Sequence, residues 1–130
     1  MDELKFQVEK TDDSLKRLEE ALKQDVSKNE LALDASIQRF EFVFENLWKL
    51  GKMILKENFN KDCYSPRSCF KALFALGIIK DEKIWLKFLK YRNLTVHTYD
   101  YGISTEVYEF ISKNFKFLKD LCKRLKKEIG

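Results

Sequence analysis

The chain has 130 residues, a formal net charge of +4, 45% hydrophobic and 35% charged residues. That length favours one domain spanning residues 1–130, with a core of its own. The composition argues against extended disorder, and no apolar run is long enough to cross a bilayer. The N-terminal stretch MDELKFQVEK lacks the basic-then-apolar order of a secretory signal, so the expectation is a cytoplasmic protein with no membrane partner. A mild positive charge fits RNA as a partner without requiring it.

Apolar positions Leu4, Val8, Thr11, Leu15, Leu18 and Leu22 recur at alternating four- and three-residue steps. This spacing predicts a long first helix with one apolar face, with Thr11 as its weak point. Residues 24–28 form a polar connection, and Ser27 followed by Glu30 fits a capping box for the next helix. That second helix is predicted over residues 29–57. Ile37, Phe40, Phe44, Leu47, Gly51 and Ile54 make a heptad-like seam, which Phe42, Val43, Trp48 and Leu50 widen. So wide a face implies more than one neighbour, and a second chain is one candidate. Trp48 and the nearby phenylalanines read as core, because they continue this seam rather than a basic surface.

Residues 58–64 read as a loop. Ser65-Pro66 opens a short helix to about Leu76, since Ser caps and Pro loses no useful amide at the first helical position. Gly77 stops it. Asp81 caps a fourth helix over residues 82–91, with Ile84, Trp85, Phe88 and Leu89 on its apolar side. Residues 99–102 read as a turn. Ser104 is expected to cap the last helix, with Ile103 and Tyr108 as a hydrophobic staple. Val107, Ile111, Leu118, Leu121 and Leu125 form its stripe, and Phe110, Phe115 and Phe117 add aromatic bulk. There is no βαβ pattern, glycine-rich phosphate loop or internal repeat. The expected fold is all-α, an antiparallel up-and-down bundle of four to five helices.

Cys63, Cys69 and Cys122 show no paired framework. The six-residue spacing of the first two does not match a zinc site, so they read as reduced thiols, with no metal and no cofactor implied. The last twelve residues, KDLCKRLKKEIG, carry five Lys or Arg against two acids. They form either a solvated face with favourable charges at a helix C-terminus or a phosphate-facing patch.

The stretch RNLTVHTYD, residues 92–100, is the best candidate for chemistry. Arg92 carries a fork of donors that suits a phosphate. Asn93 both donates and accepts, His97 exchanges protons near neutrality, and Tyr99 offers a hydroxyl. These groups suffice to cleave RNA without a metal. The ribose 2′-hydroxyl attacks the neighbouring phosphate, His97 acts as base or acid, and Arg92 stabilises the pentacoordinate charge. On a straight helix five residues turn the chain by about 140°, so Arg92 and His97 would not share a face. Either the helix breaks between them or a second subunit completes the site, and a symmetric dimer would also supply a second histidine. The alternative is a helix end, with Arg92 paired to an acid elsewhere in the bundle. Arg39, Glu41 and Glu45 stand in the otherwise apolar second helix. They are ion-pair partners in the bundle or dimer seam, or Glu41 or Glu45 orients Arg92.

At these residues the chain resembles the HEPN-domain proteins, whose pattern is arginine, four residues, histidine, one residue, tyrosine; here those are Arg92, His97 and Tyr99. The longer string resembles the subgroup of nucleotidyltransferase substrate-binding proteins. IQRFEFVFENLWKL (residues 37–50), SPRSCFKALFALGII (residues 65–79) and WLKFLKYRNLTVHTYD (residues 85–100) agree in the same order. The resemblance implies a helical bundle that forms a homodimer, and a minimal nucleotidyltransferase as partner. It implies a metal-independent endoribonuclease, a toxin of a toxin–antitoxin pair, with Arg92 and His97 catalytic and Asn93 as the accompanying polar residue. Tyr99 corresponds to the tyrosine that the partner modifies with AMP, and this would silence the nuclease. The competing implication is a non-catalytic subunit that places substrate for the nucleotidyltransferase.

Overall fold

The computed structural model describes residues 2–129, and among these the chain is a bundle of five α-helices with no strand. The helices are α1 (Asp2–Leu22), α2 (Glu30–Phe59), α3 (Pro66–Ala75), α4 (Glu82–Leu94) and α5 (Tyr101–Ile129). A single 3₁₀ turn, Thr95–His97, joins α4 to α5. Helix α2 is central and packs against all four others.

The first-helix stripe faces α2, with Leu4, Leu15 and Leu18 buried. Thr11 is fully buried too. Its hydroxyl donates to the Gln7 carbonyl at 2.7 Å, so the polar group in the stripe is satisfied within its own helix. Around the α2 seam lies a continuous aromatic cluster. Phe40, Phe44, Phe70, Trp85, Phe88 and Phe110 meet with centroid separations of 4.8–6.2 Å. Tilted and edge-on pairs of this kind add to their area burial. Gly51 sits where α3 comes closest, since a Cβ there would stand 3.0 Å from Leu73 Cδ1.

Helix starts follow local chemistry, with two caps displaced from the expected residues. Ser65 and Asp81 cap as expected, and Ser68 closes a capping box with Ser65. Gly77 takes a left-handed φ of 77°, and the Ile78 amide returns to the Leu73 carbonyl. The cap of α2, however, is Asn29, whose Oδ1 accepts from the Leu31 and Ala32 amides at 3.1 and 3.3 Å. The Ser27 hydroxyl instead donates to Asp25, in a turn before the helix. At α5 the Asp100 carboxylate accepts from the Ile103 amide at 3.2 Å, and the helix starts at Tyr101. Ser104 therefore lies inside the first turn, buried, and donates to the Thr98 carbonyl at 2.8 Å. That start also removes the register a staple between Ile103 and Tyr108 needs, although both pack against the core.

The cysteines also depart from expectation. Cys63 and Cys69 are joined as a disulfide, with Cα atoms 5.2 Å apart. The cap at Ser65 folds the loop back over the first turn of α3, which brings two buried side chains together across six positions. Cys122 is free and buried.

Candidate functional site

Helix α4 runs three residues past its expected end, through Arg92 and Asn93 to Leu94. There it breaks. The Thr95 hydroxyl donates to the Arg92 carbonyl at 2.6 Å and takes the place of a continuing helical amide. The chain then makes one 3₁₀ turn, which carries His97 off the α4 register. Of the two alternatives, a break between Arg92 and His97 or a second subunit, the break is present. At the break stands Thr95, a residue to which the motif assigns no role.

Arg92 is held from two sides. Its Nη1 donates to Glu45 Oε1 at 2.5 Å, an ion pair whose side chains are 26% and 37% exposed. Its guanidinium carbon lies 4.8 Å above the centre of the Phe44 ring. The other Glu45 oxygen accepts from the Trp48 indole at 3.0 Å. Glu45 is therefore clamped between a cation and an indole one turn along its own helix. Arg92 Nε is buried and finds no acceptor among the described residues. Trp48 is half-buried, and Phe44 is fully buried as the platform beneath the arginine. A buried Phe followed directly by Glu, with Trp three residues beyond the Glu, is the signal in the sequence that could have singled them out.

His97 is exposed and sits beside Tyr99, with Nδ1 3.2 Å from the Tyr99 hydroxyl and the rings edge-on at 5.9 Å. Tyr99 is 85% exposed, and Val96 and Tyr101 are exposed around it. Asn93 is also exposed. Within one chain Arg92 and His97 are not bonded to each other. The structure joins Arg92 to Glu45 and His97 to Tyr99 as two separate pairs on consecutive turns.

The other singled-out residues divide. Glu41 is half-buried one turn before Glu45 and takes no part in the Arg92 contact. Arg39 lies on the side of α2 that faces α1, where it donates to the Arg17 carbonyl at 2.8 Å. Phe42 is not core: it is 52% exposed. At the basic C-terminal end three of the five cations are engaged with acids, as Lys119–Glu19, Arg124–Asp120 and Lys126–Asp12. Asp12 also accepts from the buried Cys122 thiol, and burial first, then that carboxylate, pushes the thiol up to about 12. This end reads as a solvated, partly neutralised face. Among the described residues no cluster of three or more His, Cys, Asp or Glu could hold a metal ion. None of the described helices is long and apolar enough to cross a membrane.

A five-helix bundle with an Arg–Glu pair between α4 and the central α2 and an exposed His–Tyr pair at the α4–α5 break defines a helical domain of the HEPN-like substrate-binding class. Residues 6–127 match the family model described as nucleotidyltransferase substrate binding protein like, and the chain belongs to that family. A curated relative, a "Probable ribonuclease HepT" from Haemophilus influenzae, is 31% identical over 97 residues. The match covers 68% of this chain and 66% of that relative, just under two thirds of its length. A crystal structure of a protein from Thermus thermophilus superposes with a TM-score of 0.83 at 26% identity, covering 88% of this chain and 98% of that one. HI0074 from Haemophilus influenzae, described as the substrate binding domain of a nucleotidyltransferase, superposes with a TM-score of 0.78 at 23% identity. It covers 92% of this chain and 98% of its own, and shares the fold.

Proposed function

We propose that this protein is a metal-independent endoribonuclease, the toxin of a pair whose antitoxin is a minimal nucleotidyltransferase. One observation carries the reading: a guanidinium fixed by Glu45 over Phe44, followed one turn later by an exposed histidine bonded to a tyrosine. Arg92 binds the scissile phosphate and stabilises its pentacoordinate form. The 2′-hydroxyl attacks phosphorus, the 5′-oxygen leaves, and a 2′,3′-cyclic phosphate remains. His97 takes the proton from the nucleophile or delivers one to the leaving oxygen. One histidine per chain serves one of these steps, so a homodimer with two facing RNLTVH segments supplies the other. Asn93, exposed on the last turn of α4, is the polar companion that hydrogen-bonds the substrate. The relative named as a probable ribonuclease supports this reading.

Tyr99 is the control point. Its hydroxyl attacks the α-phosphorus of ATP on the partner enzyme, pyrophosphate leaves, and AMP remains on the ring. The added phosphate charge then sits beside His97 and blocks RNA.

The test is incubation of protein with verified unmodified Tyr99 and RNA in EDTA. Cleavage giving cyclic phosphate ends, lost in His97→Ala with the fold intact, is the expected result. Intact RNA with the unmodified protein refutes it. A second reading, a non-catalytic substrate-binding subunit of a nucleotidyltransferase, draws support from the family description and from the Arg92 side chain already engaged by Glu45. It predicts a stable complex with the nucleotidyltransferase and no cleavage.

A further inference from the structure

On the side of α2 that faces α1, a cleft of about 190 Å³ opens between the two helices. Its lining includes Lys10, Asp13, Arg17, Arg39, Phe42 and Asn46. An exposed phenylalanine alone is ordinary. Here the ring of Phe42 projects among three cations against a single carboxylate, and none of the three forms an ion pair among the described residues. Arg39 is braced by the Arg17 carbonyl. Lys10 also lies over the exposed ring of Phe6, 5.1 Å from its centre. Asn46 is oriented: its Oδ1 accepts from Gln7 at 3.2 Å, and its Nδ2 donor has no bond to the described residues. A half-exposed aromatic face, flanking cations and a free amide donor are the parts of a single-strand stacking site. The cleft adjoins the candidate active site, since Phe42 precedes Glu45 by three residues, about 4.5 Å of axial rise.

Resting on the ribonuclease reading above, we propose that this cleft is an RNA subsite that receives an unpaired nucleotide flanking the scissile phosphate. Its base stacks on Phe42, the Asn46 amide donates to a base or sugar oxygen, and Lys10, Arg17 and Arg39 hold the adjoining phosphates. Paired bases already have both faces covered, so the site selects single-stranded or loop RNA over duplex.

The test uses full-length protein in a His97→Ala background, so that RNA binds without being cut. The probes are a fluorescent unstructured 12-nucleotide RNA and the same strand annealed to its complement, read by anisotropy. Phe42→Ala should weaken single-strand binding about 5- to 100-fold, the range expected for one lost stacking contact. Phe42→Trp should retain binding, and Phe42→Leu should behave like Ala. Lys10→Gln and Arg17→Gln should each reduce the slope of log affinity against log salt by about 0.7. Because these side chains are exposed, the melting temperature should be unchanged. Binding by Phe42→Ala equal to the parent, or Leu serving as well as Trp, overturns the subsite. So does a variant that changes subunit number or loses the nucleotidyltransferase while still binding RNA, which would make this face a protein interface. RNA bound at this cleft but never cut by His97-containing protein would sink the nuclease reading and leave the subsite standing. Normal cutting by Phe42→Ala would do the reverse. A parent that binds no RNA overturns both.

Discussion

If Glu45 holds Arg92, their energies must be coupled, and a double-mutant cycle measures that coupling. Glu45→Gln keeps the shape but leaves one good acceptor for two donors, Arg92 Nη1 and Trp48 Nε1. Arg92→Met keeps an apolar stem over Phe44 and removes the guanidinium. A hydrogen bond to a charged group contributes about 1.5–3 kcal/mol when enclosed, whereas exposed ion pairs give about 0.2–1 kcal/mol. With side chains 26% and 37% exposed, this pair lies between those limits, so the coupling should be about 1–2 kcal/mol. Glu45→Gln alone should cost a similar amount and, for a chain of this length, lower Tm by about 3–10 °C. The assay is urea unfolding followed by circular dichroism for parent, both single variants and the double variant, at one protein concentration. Coupling within the additivity scatter of about 0.3 kcal/mol would refute the clamp. In the RNA assay Glu45→Gln should slow cleavage by about 100-fold, since a guanidinium displaced by about 1 Å no longer meets the phosphate.

The buried Cys122 thiol, pushed up to about 12 by burial and the neighbouring Asp12, should resist alkylation in the folded protein from pH 7 to 10 and react after unfolding; rapid labelling of native protein would contradict its enclosure. Its folded-state value lies above the ordinary 9.0, so its contribution to stability is complete below pH 9 and declines as pH rises from there toward 12, which unfolding curves of parent and Cys122→Ala should separate. Gly51→Leu should cost about 2–3 kcal/mol, because even a Cβ stands 3.0 Å from the fully buried Leu73; an unchanged Tm would mean that α2 and α3 are farther apart. Reducing the Cys63–Cys69 bridge should cost about 2 kcal/mol by releasing a short closed loop, seen as a lower urea midpoint with reductant, and Cys63→Ala should remove that reductant effect.

Much of the helical framework can be read along the chain, because helix formation obeys local rules. The α1 stripe, the α2 seam, the Ser65-Pro66 start and the Asp81 cap depend on residues within one or two turns. The misplaced caps fail for a related reason. Ser27 and Ser104 each have a competing acid or amide nearby, Asp25 and Asn29 in one case and Asp100 in the other. Which side chain wins depends on how the connecting segment folds against the bundle. The Arg92–His97 spacing left open whether α4 breaks or a second subunit completes the site, and it pointed to no role for Thr95 at the break.

By itself, then, the sequence determined the class of fold and the chemical inventory of one segment, since periodicity, capping and side-chain type are properties of neighbours along the chain. Tertiary structure alone decided which of Glu41 and Glu45 meets Arg92, which phenylalanine lies beneath it and which is left at the surface. Those outcomes depend on the rotation and approach of helices distant in sequence. On α2 a step of one residue turns a side chain by about 100°, enough to separate the buried Phe44 from the arginine-binding Glu45 and the exposed Phe42 from the buried Val43.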